Sequence, residues 1–224
     1  VEQDFGEAAR WYSLSAEQGF PFAQNNLGVL SYQGKGVEQD REAAAELFQL
    51  AAEQYNPNAL NNLGQMHIGK GVVEQDFDKA HKLIRSGALR GNANARYALG
   101  TMYRDGLAVD RDYEEAVKWL KKSARQNFAP AQNSLGLMYE HGQGVMKVPA
   151  KAVYWYERAA SQDYAPAQHN LGLMHFKGIA VRKDYETARH WFEKAAEQNS
   201  PYAQSCLGLM YYKGYGVEQD YNVA

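Results

Sequence analysis

The chain has 224 residues and a formal net charge of −2, and 45% of its residues are apolar. That apolar content is enough for a core, yet no run approaches the roughly 18–20 apolar residues of a membrane-spanning helix. Basic and acidic residues are interspersed, without the basic stripe typical of nucleic-acid-binding proteins. The one cysteine, Cys206, excludes an intramolecular disulfide. Composition therefore argues against a nucleic-acid partner and against insertion into a membrane.

A period of 36 residues runs along the whole chain. Its clearest sign is a Leu-Gly pair, found at Leu27-Gly28, Leu63-Gly64, Leu99-Gly100, Leu135-Gly136, Leu171-Gly172 and Leu207-Gly208. Six repeats cover residues 1–36, 37–72, 73–108, 109–144, 145–180 and 181–216, and residues 217–224 begin a seventh. Stacked repeats bury apolar faces that one helix pair cannot bury alone. We therefore predict a single solenoid domain over residues 1–224.

The first helix of each repeat begins at an acidic residue in most repeats. An aspartate there can cap the unpaired N–H groups of the first turn, and it occurs at Asp4, Asp40, Asp76, Asp112, Asp184 and Asp220. Repeat five instead has Val148-Pro149, where the fixed φ of proline favours a helix start without a side-chain cap. The helix is predicted to end near residues that tolerate a left-handed backbone, at Gly19, Gly91, Asn127, Asp163 and Asn199, with Tyr55 as the exception.

Two columns of the first helix, meaning positions 36 residues apart, are large and apolar. One column holds Trp11, Leu47, Leu83, Trp119, Trp155 and Trp191, and the next holds Tyr12, Phe48, Ile84, Leu120, Tyr156 and Phe192. Spacing at the helical period makes both columns part of the predicted core rather than a carbohydrate platform.

The second helix starts near a proline and carries a glycine in its middle. A mid-helix glycine costs about 1 kcal/mol relative to alanine, so its recurrence predicts close approach of a neighbouring helix. The helix is predicted to stop at Gly34, Gly106, Gly142, Gly178 and Gly214. In repeat two Gly69 arrives one position early and Val72 is inserted, so we expect a different loop there.

These residues resemble the Sel-one-like repeat (SLR) family, a relative of the tetratricopeptide repeats. The motif is clearest at Ala131, Leu135, Gly136, Met138, Tyr139, Gly142, Gly144 and Val145, and at Val109, Asp112, Ala116, Trp119 and Ala124. The resemblance covers the whole chain and implies an all-α fold, an α/α superhelical solenoid of helix–turn–helix repeats. It further implies a scaffold or adaptor for protein–protein interaction without catalysis. The family branch with a cysteine pair in each repeat is excluded, because only Cys206 is present.

The sequence offers little that is typical of an enzyme. His67 and His175 share a column with tyrosines and are interpreted as packing residues, whereas His81 and His190 are expected to be solvated. Cys206 is interpreted as a small, partly buried thiol, since no base is nominated beside it. We therefore predict no enzymatic activity, no catalytic or metal-binding residues, and no cofactor.

A variable face of the second helices is the candidate binding site, and the resemblance would put it on the concave side of the superhelix. This helix-two face consists of Asn25, Tyr32, Asn61, Gln65, Tyr97, Thr101, Arg104, Asn133, Glu140, His169, Phe176 and Tyr212. The asparagine amides are expected to hydrogen-bond the backbone of a peptide, and the aromatic residues are expected to anchor it. Leu137, Leu173 and Leu209, which lie among these positions, can instead belong to the core between repeats.

The expected partner is a protein or peptide, and a small-molecule ligand is not expected. Two alternatives stay open: a repeat segment of a larger enzyme or signalling protein, and a binder of glycan or peptidoglycan fragments through exposed aromatic residues. The chain opens at Val1 inside a repeat, as a trimmed piece of a longer protein would. Because the resembled family includes exported and virulence-associated bacterial proteins, we expect an exported location, periplasmic or secreted, in a bacterium.

Overall fold

The computed structural model describes residues 3–216 of the chain, and these residues form helices and no strand. The helices are α1 (Phe5–Glu17), α2 (Pro21–Gln33), α3 (Arg41–Glu53), α4 (Pro57–Ile68), α5 (Phe77–Leu89), α6 (Ala93–Asp105), α7 (Tyr113–Ala124), α8 (Ala129–His141), α9 (Pro149–Ala160), α10 (Ala165–Lys177), α11 (Tyr185–Glu197) and α12 (Pro201–Lys213). The predicted all-α solenoid of helix pairs is confirmed. The predicted cap Asp220 and the seventh repeat, 217–224, lie outside the described residues, as does Val1.

The helices fall into two compact units, Val1–Asp112 and Tyr113–Ala224. The first unit contains α1 to α6 and the second contains α7 to α12. Within each unit every helix packs against the next helix in the chain. Each unit therefore consists of three helix pairs that share a local core.

The starts of the first helices follow the predicted capping chemistry. Oδ1 of Asp40 accepts a hydrogen bond from the backbone N–H of Ala43 at 2.8 Å. Equivalent caps are made by Asp4, Asp76 and Asp184. At α9 the position is taken by Val148, which makes no side-chain cap, and Pro149 opens the helix. The capping prediction is confirmed at these five helices.

The turns after the first helices adopt a left-handed backbone, as predicted. Gly19, Gly91, Asn127, Asp163 and Asn199 all have positive φ. Tyr55, the exception in residue type, adopts the same conformation, with φ of 60°. The guanidinium of Arg90 lies 4.5 Å from the centre of the Tyr55 ring and covers it. The required turn therefore overrides the local preference of tyrosine.

The mid-helix glycines lie where a first helix presses against a second helix. A Cβ added at Gly136 would lie 2.5 Å from the ring of Tyr156, and one at Gly172 would lie 2.6 Å from Phe192. Gly28 meets Phe48 and Gly64 meets Ile84 in the same way. The predicted close approach is confirmed at these four glycines.

The two apolar columns of the first helix differ in burial. The column of Phe48, Ile84, Leu120, Tyr156 and Phe192 is buried, which confirms its place in the core. The tryptophan column was predicted to be core, and this prediction is wrong for part of it. Trp119 is buried, but Trp155 and Trp191 are half-buried and Trp11 is 59% exposed. The exposure of this column therefore differs from one repeat to the next.

The loop after α4 differs from the other loops that follow second helices. Gly34, Gly106, Gly142, Gly178 and Gly214 end their helices with a left-handed backbone, as predicted. Gly69 instead has φ of −71° and ψ of 163°, which is an extended conformation. The longer loop of repeat two therefore leaves its helix in another direction, and this confirms the expected irregularity.

Candidate functional site

Side-chain amides join neighbouring second helices beneath the helix-two face. Nδ2 of Asn62 donates a hydrogen bond to Oδ1 of Asn25 at 3.1 Å, and Asn170 donates to Asn133 at 2.9 Å. Asn25 and Asn133 are both buried. The expectation that these two residues present free amides to a peptide is therefore corrected, since their oxygens bind the next repeat.

Asn61 occupies the same column but lacks a hydrogen-bond partner for its oxygen. Its side chain is buried, and Oδ1 accepts no hydrogen bond from the described residues. The residue that would donate, at the place of Asn62 and Asn170, is Ala98, which has no donor in its side chain. Because Ala98 has only a methyl side chain, the buried Oδ1 of Asn61 has no donor among the described residues.

The polar middle of the helix-two face also has internal partners. Arg104 forms an ion pair with Asp105 at 2.7 Å, and this hydrogen bond lowers the pKa of the Asp105 carboxyl. Oγ1 of Thr101 donates to the backbone oxygen of Ala98. Arg104 and Thr101 are half-buried, as is Tyr97 on the same helix. These groups therefore contribute to the framework of α6.

The carboxylate of Glu140 accepts a hydrogen bond from a core residue. The hydroxyl of Tyr156 donates a hydrogen bond to Oε2 of Glu140 at 2.6 Å. Burial and this carboxylate raise the pKa of Tyr156 above its ordinary value. Glu140 is thus hydrogen-bonded to Tyr156, the residue whose ring packs against Gly136.

Three members of the helix-two face are exposed. Tyr32 and Tyr212 have 41% and 47% of their surface exposed, and Gln65 is also exposed. Lys213 lies over the Tyr212 ring, 4.8 Å from its centre. The role of these three residues in binding stays a prediction.

A cavity in the first unit adjoins two of these exposed residues. It has a volume of about 340 Å³ and lies between α2, α3, α4 and the irregular loop after α4. We call it the Tyr32 cavity, and its lining includes Val29, Tyr32, Arg41, Gln65, Met66, Lys70 and Val72. Apolar walls with a few polar groups at the rim are typical of binding pockets, which usually span about 300–1,000 Å³.

The charges at the Tyr32 cavity are basic. The guanidinium of Arg41 lies over the Tyr32 ring at 5.4 Å, and Lys70 lies on the opposing loop. No carboxylate lines the cavity, and neither residue forms an ion pair within the part of the chain that the structure describes. The cavity is therefore lined by two basic side chains and no acidic one, together with apolar side chains such as Val29 and Met66.

In the second unit two members of the helix-two face, Phe176 and His169, lie in contact with other aromatic rings. Phe176 is half-buried and lies 5.2 Å from Tyr185 and 5.6 Å from Tyr215, measured between ring centres. His169 lies between Phe192 and Tyr202, at 5.7 and 6.0 Å. Phe176 and His169 therefore pack against neighbouring rings within the chain. Their contact with a partner stays a prediction.

The histidines and the cysteine are mostly packed against neighbouring side chains. His67 is buried, His175 is half-buried, and Cys206 is half-buried, as expected. Burial lowers the pKa of His169 and raises the pKa of the Cys206 thiol. His81 was predicted to be solvated, and this is wrong: it is half-buried against Tyr103, and burial lowers its pKa.

Arg41, Lys70 and Val72 were not among the sequence-predicted site residues. Arg41 begins α3 at a column that holds Phe5, Phe77, Tyr113 and Tyr185 in other repeats, so a cation there was a detectable departure. Sequence reasoning marked the loop containing Val72 as irregular, but it did not connect that loop to a cavity.

Across residues 3–216, no helix is long and apolar enough to cross a bilayer. Over the same residues, no group of three or more histidine, cysteine, aspartate or glutamate side chains is arranged to hold a metal ion.

Comparison with solved structures places this fold among bacterial repeat proteins. A Sel1 repeat protein from Oxalobacter formigenes is 31% identical with a TM-score of 0.86, covering 92% of this chain and 84% of that one. A protective antigen of uropathogenic Escherichia coli with an SLR fold is 33% identical with a TM-score of 0.79. That match covers 100% of this chain but only 48% of the antigen. An immunity protein from Pseudomonas aeruginosa, 24% identical over 91% of this chain and 78% of its own, shares the fold with a TM-score of 0.61.

A search of curated proteins gave no match. The sequence model of the Sel1 repeat matches residues 1–20, 21–56, 57–92, 93–128, 129–164, 165–200 and 201–224. Sel1 repeat proteins are generally scaffolds for protein–protein interaction. Because the repeat model covers the whole chain and two solved relatives exceed 30% identity, the chain belongs to the Sel1 repeat family.

Proposed function

We propose that this chain is an interaction scaffold that binds a peptide segment of a partner protein on the helix-two face. The observation that carries the proposal is the Tyr32 cavity, which adjoins two exposed residues of that face, Tyr32 and Gln65. The concave face expected from the family resemblance is, on this proposal, the face on which the partner lies.

The surroundings of the cavity support binding because they are already held in place. The Asn25–Asn62 hydrogen bond fixes α2 against α4, and Gly28 and Gly64 let the first helices pack closely behind them. A rigid site loses less conformational freedom on binding, which favours affinity. Tyr32 contributes a large, stiff ring, and such residues dominate the energy of many interfaces.

The family supports the same class of function without naming a partner. Scaffolding is the general role of Sel1 repeat proteins. The E. coli relative is a protective antigen, and this chain spans about half of its length. We extend to this chain only the scaffold role, and we propose that its partner is a protein or peptide rather than a substrate.

The proposal can be tested by selecting partners from a random peptide library displayed on phage. Peptides selected on the wild-type protein would be synthesised, and their affinity would be measured by isothermal titration. We expect Tyr32→Ala combined with Gln65→Ala to weaken binding by about tenfold or more, since an exposed aromatic anchor is lost.

A matched control uses exposed residues of the first helices, Leu14 and Leu50. The double variant Leu14→Ala, Leu50→Ala should bind the same peptides with unchanged affinity. Circular dichroism and melting temperature would show that both double variants are folded. Peptides that depend on Leu14 and Leu50 but not on Tyr32 and Gln65 would contradict the proposal.

A further inference from the structure

The chain contains a closed counterpart of the Tyr32 cavity. Four repeats further along, Phe176 and Tyr185 stand at the positions of Tyr32 and Arg41, and Tyr215 lies in the loop after α12 as Lys70 and Gly71 lie in the loop after α4. Tyr215 stacks on Tyr185, with ring centres 5.1 Å apart and planes inclined by 18°. The loop after α12 thus places its own aromatic ring between α10 and α11.

The Tyr32 cavity cannot be closed by an aromatic ring of its own loop in this way. Arg41 replaces the ring of Tyr185, and the loop brings Lys70 and Gly71 where the other loop brings Tyr215. Two like charges at Arg41 and Lys70 repel, and Gly71 has no side chain. The extended Gly69 and the inserted Val72 hold the loop as one wall of a cavity of about 340 Å³.

We propose that the Tyr32 cavity receives an aromatic side chain of the partner that lies next to a carboxylate. This inference rests on the proposed function, because it names the chemistry of the partner at the same site. The occupant takes the place that Tyr215 fills in the second unit.

The walls suit an aromatic ring. Tyr32 is 41% exposed and offers a ring face or edge, while Val29 and Met66 supply apolar contact on the cavity floor. Thioether sulfur makes favourable contacts with aromatic rings. Arg41 already lies over one ring, and a guanidinium can stack on a second ring from the same position.

The basic lining of the cavity indicates that the charge next to the partner's aromatic ring is negative. Arg41 and Lys70 line it without an ion pair or any lining carboxylate. A guanidinium matches the two oxygens of a carboxylate, and this pairing is specific in geometry. An acidic residue, or a chain terminus, beside the aromatic residue therefore complements the site.

The inference can be tested with three small probes that share the tyrosine ring and differ in charge. N-acetyl-L-tyrosine carries a ring and a carboxylate, N-acetyl-L-tyrosinamide is neutral, and L-tyrosinamide is cationic. Binding to the whole chain would be followed by NMR of the methyl groups of Val29, Met66 and Val72. We expect N-acetyl-L-tyrosine to bind with a dissociation constant on the order of millimolar, as suits a ligand of this size.

We expect the neutral probe to bind about threefold more weakly or worse, in keeping with the loss of one exposed charge pair. The cationic probe should bind more weakly still. Equal binding of the acid and the neutral amide would overturn the carboxylate part of the inference. Absence of methyl shifts with every probe would overturn the aromatic part.

Two variants and one control locate the site. Gly71→Tyr should weaken probe binding, because Gly71 lines the cavity and its backbone accepts a side chain: a Cβ there meets no atom within 4 Å, and its φ is not positive. Arg41→Gln should reduce the preference for the acid, because Lys70 remains. Lys213→Gln alters a comparable cation–aromatic pair, in which Lys213 lies over the Tyr212 ring. This control should leave both the affinity for the probes and the preference for the acid unchanged. Unaltered probe binding in Gly71→Tyr would overturn the inference.

Library-selected peptides separate this inference from the proposed function. Peptides that depend on Tyr32 and Gln65 but bind Gly71→Tyr as well as wild type would support the helix-two face and overturn the cavity as the anchor. Peptides that ignore Tyr32 and Gln65 would overturn the proposed function itself. Selected sequences with an aromatic residue beside an acidic one, lost on Gly71→Tyr, would support both.

Discussion

Asn62 donates a hydrogen bond from Nδ2 to Oδ1 of Asn25 at 3.1 Å and thereby joins two neighbouring second helices. Asn170 and Asn133 repeat this contact in the second unit, at 2.9 Å. The amides of this column thus build the floor of the helix-two face. The exposed residues around them are the proposed contacts of a partner.

Ala98→Asn should stabilise the protein by supplying the donor that Asn61 lacks. Oδ1 of Asn61 is buried and unsatisfied, and a typical hydrogen bond contributes about 1 kcal/mol to stability. The measurement is the free energy of unfolding in urea. Asn62→Ala is the matched reverse change, and it should destabilise by about 1–3 kcal/mol because Oδ1 of Asn25 loses its donor. A destabilised Ala98→Asn together with a neutral Asn62→Ala would refute this role of the column.

Gly136→Ala should destabilise the second unit although alanine favours helices more than glycine. The added Cβ would lie 2.5 Å from the ring of Tyr156, and overpacking of this kind costs about 1–3 kcal/mol. Thermal melting checks the result. Gly6→Ala is the control, since its Cβ would lie no closer than 3.4 Å to its nearest neighbour, Asp4. If both alanine variants raise the melting temperature, close packing does not explain the repeated glycine.

Stability should fall as the pH drops below about 6.5, the ordinary pKa of histidine. Burial lowers the pKa of His169, and nearby Lys177 adds to this effect. The unfolded chain therefore takes up a proton at a higher pH than the folded chain. This histidine's contribution to stability is complete above its unfolded pKa and is lost as pH falls towards its folded pKa.

The pH effect can be assigned by replacing His169 with asparagine, the residue found at Asn25 and Asn133. Free energies of unfolding at pH 7.5 and 5.5 should differ less in His169→Asn than in the wild type. His81, whose pKa is also lowered by burial, keeps part of the dependence. The exposed His190 provides a control, because His190→Asn should keep the wild-type dependence. Identical dependence in all three proteins would be evidence against this assignment.

The parts of the fold that could be predicted from sequence are those set by local chemistry. Aspartate caps, left-handed turns and the glycine contacts depend on residues within one repeat or its neighbour, and the 36-residue period displays them directly. The period also makes the pairing of Gly136 with a large core residue recur, so sequence alone could anticipate it.

The candidate site was only partly predictable because exposure depends on three-dimensional neighbours. Asn25 looked like a ligand-facing amide, but the next repeat supplies its partner from Asn62. Trp11 and Trp119 share a column and differ in burial. The Tyr32 cavity arises from a helix start at Arg41 and a loop at Lys70, which are far apart in sequence and meet only in the fold.

Site-specific photo-crosslinking tests whether a partner peptide lies on the helix-two face beside Tyr32. A library-selected peptide would be irradiated with the protein carrying p-benzoyl-phenylalanine in place of Tyr32, or in place of Leu50 on the first helix α3 as the matched control. We expect a covalent adduct of protein and peptide from position 32 and none from position 50. An adduct from position 50 alone would show that the peptide does not lie on the helix-two face.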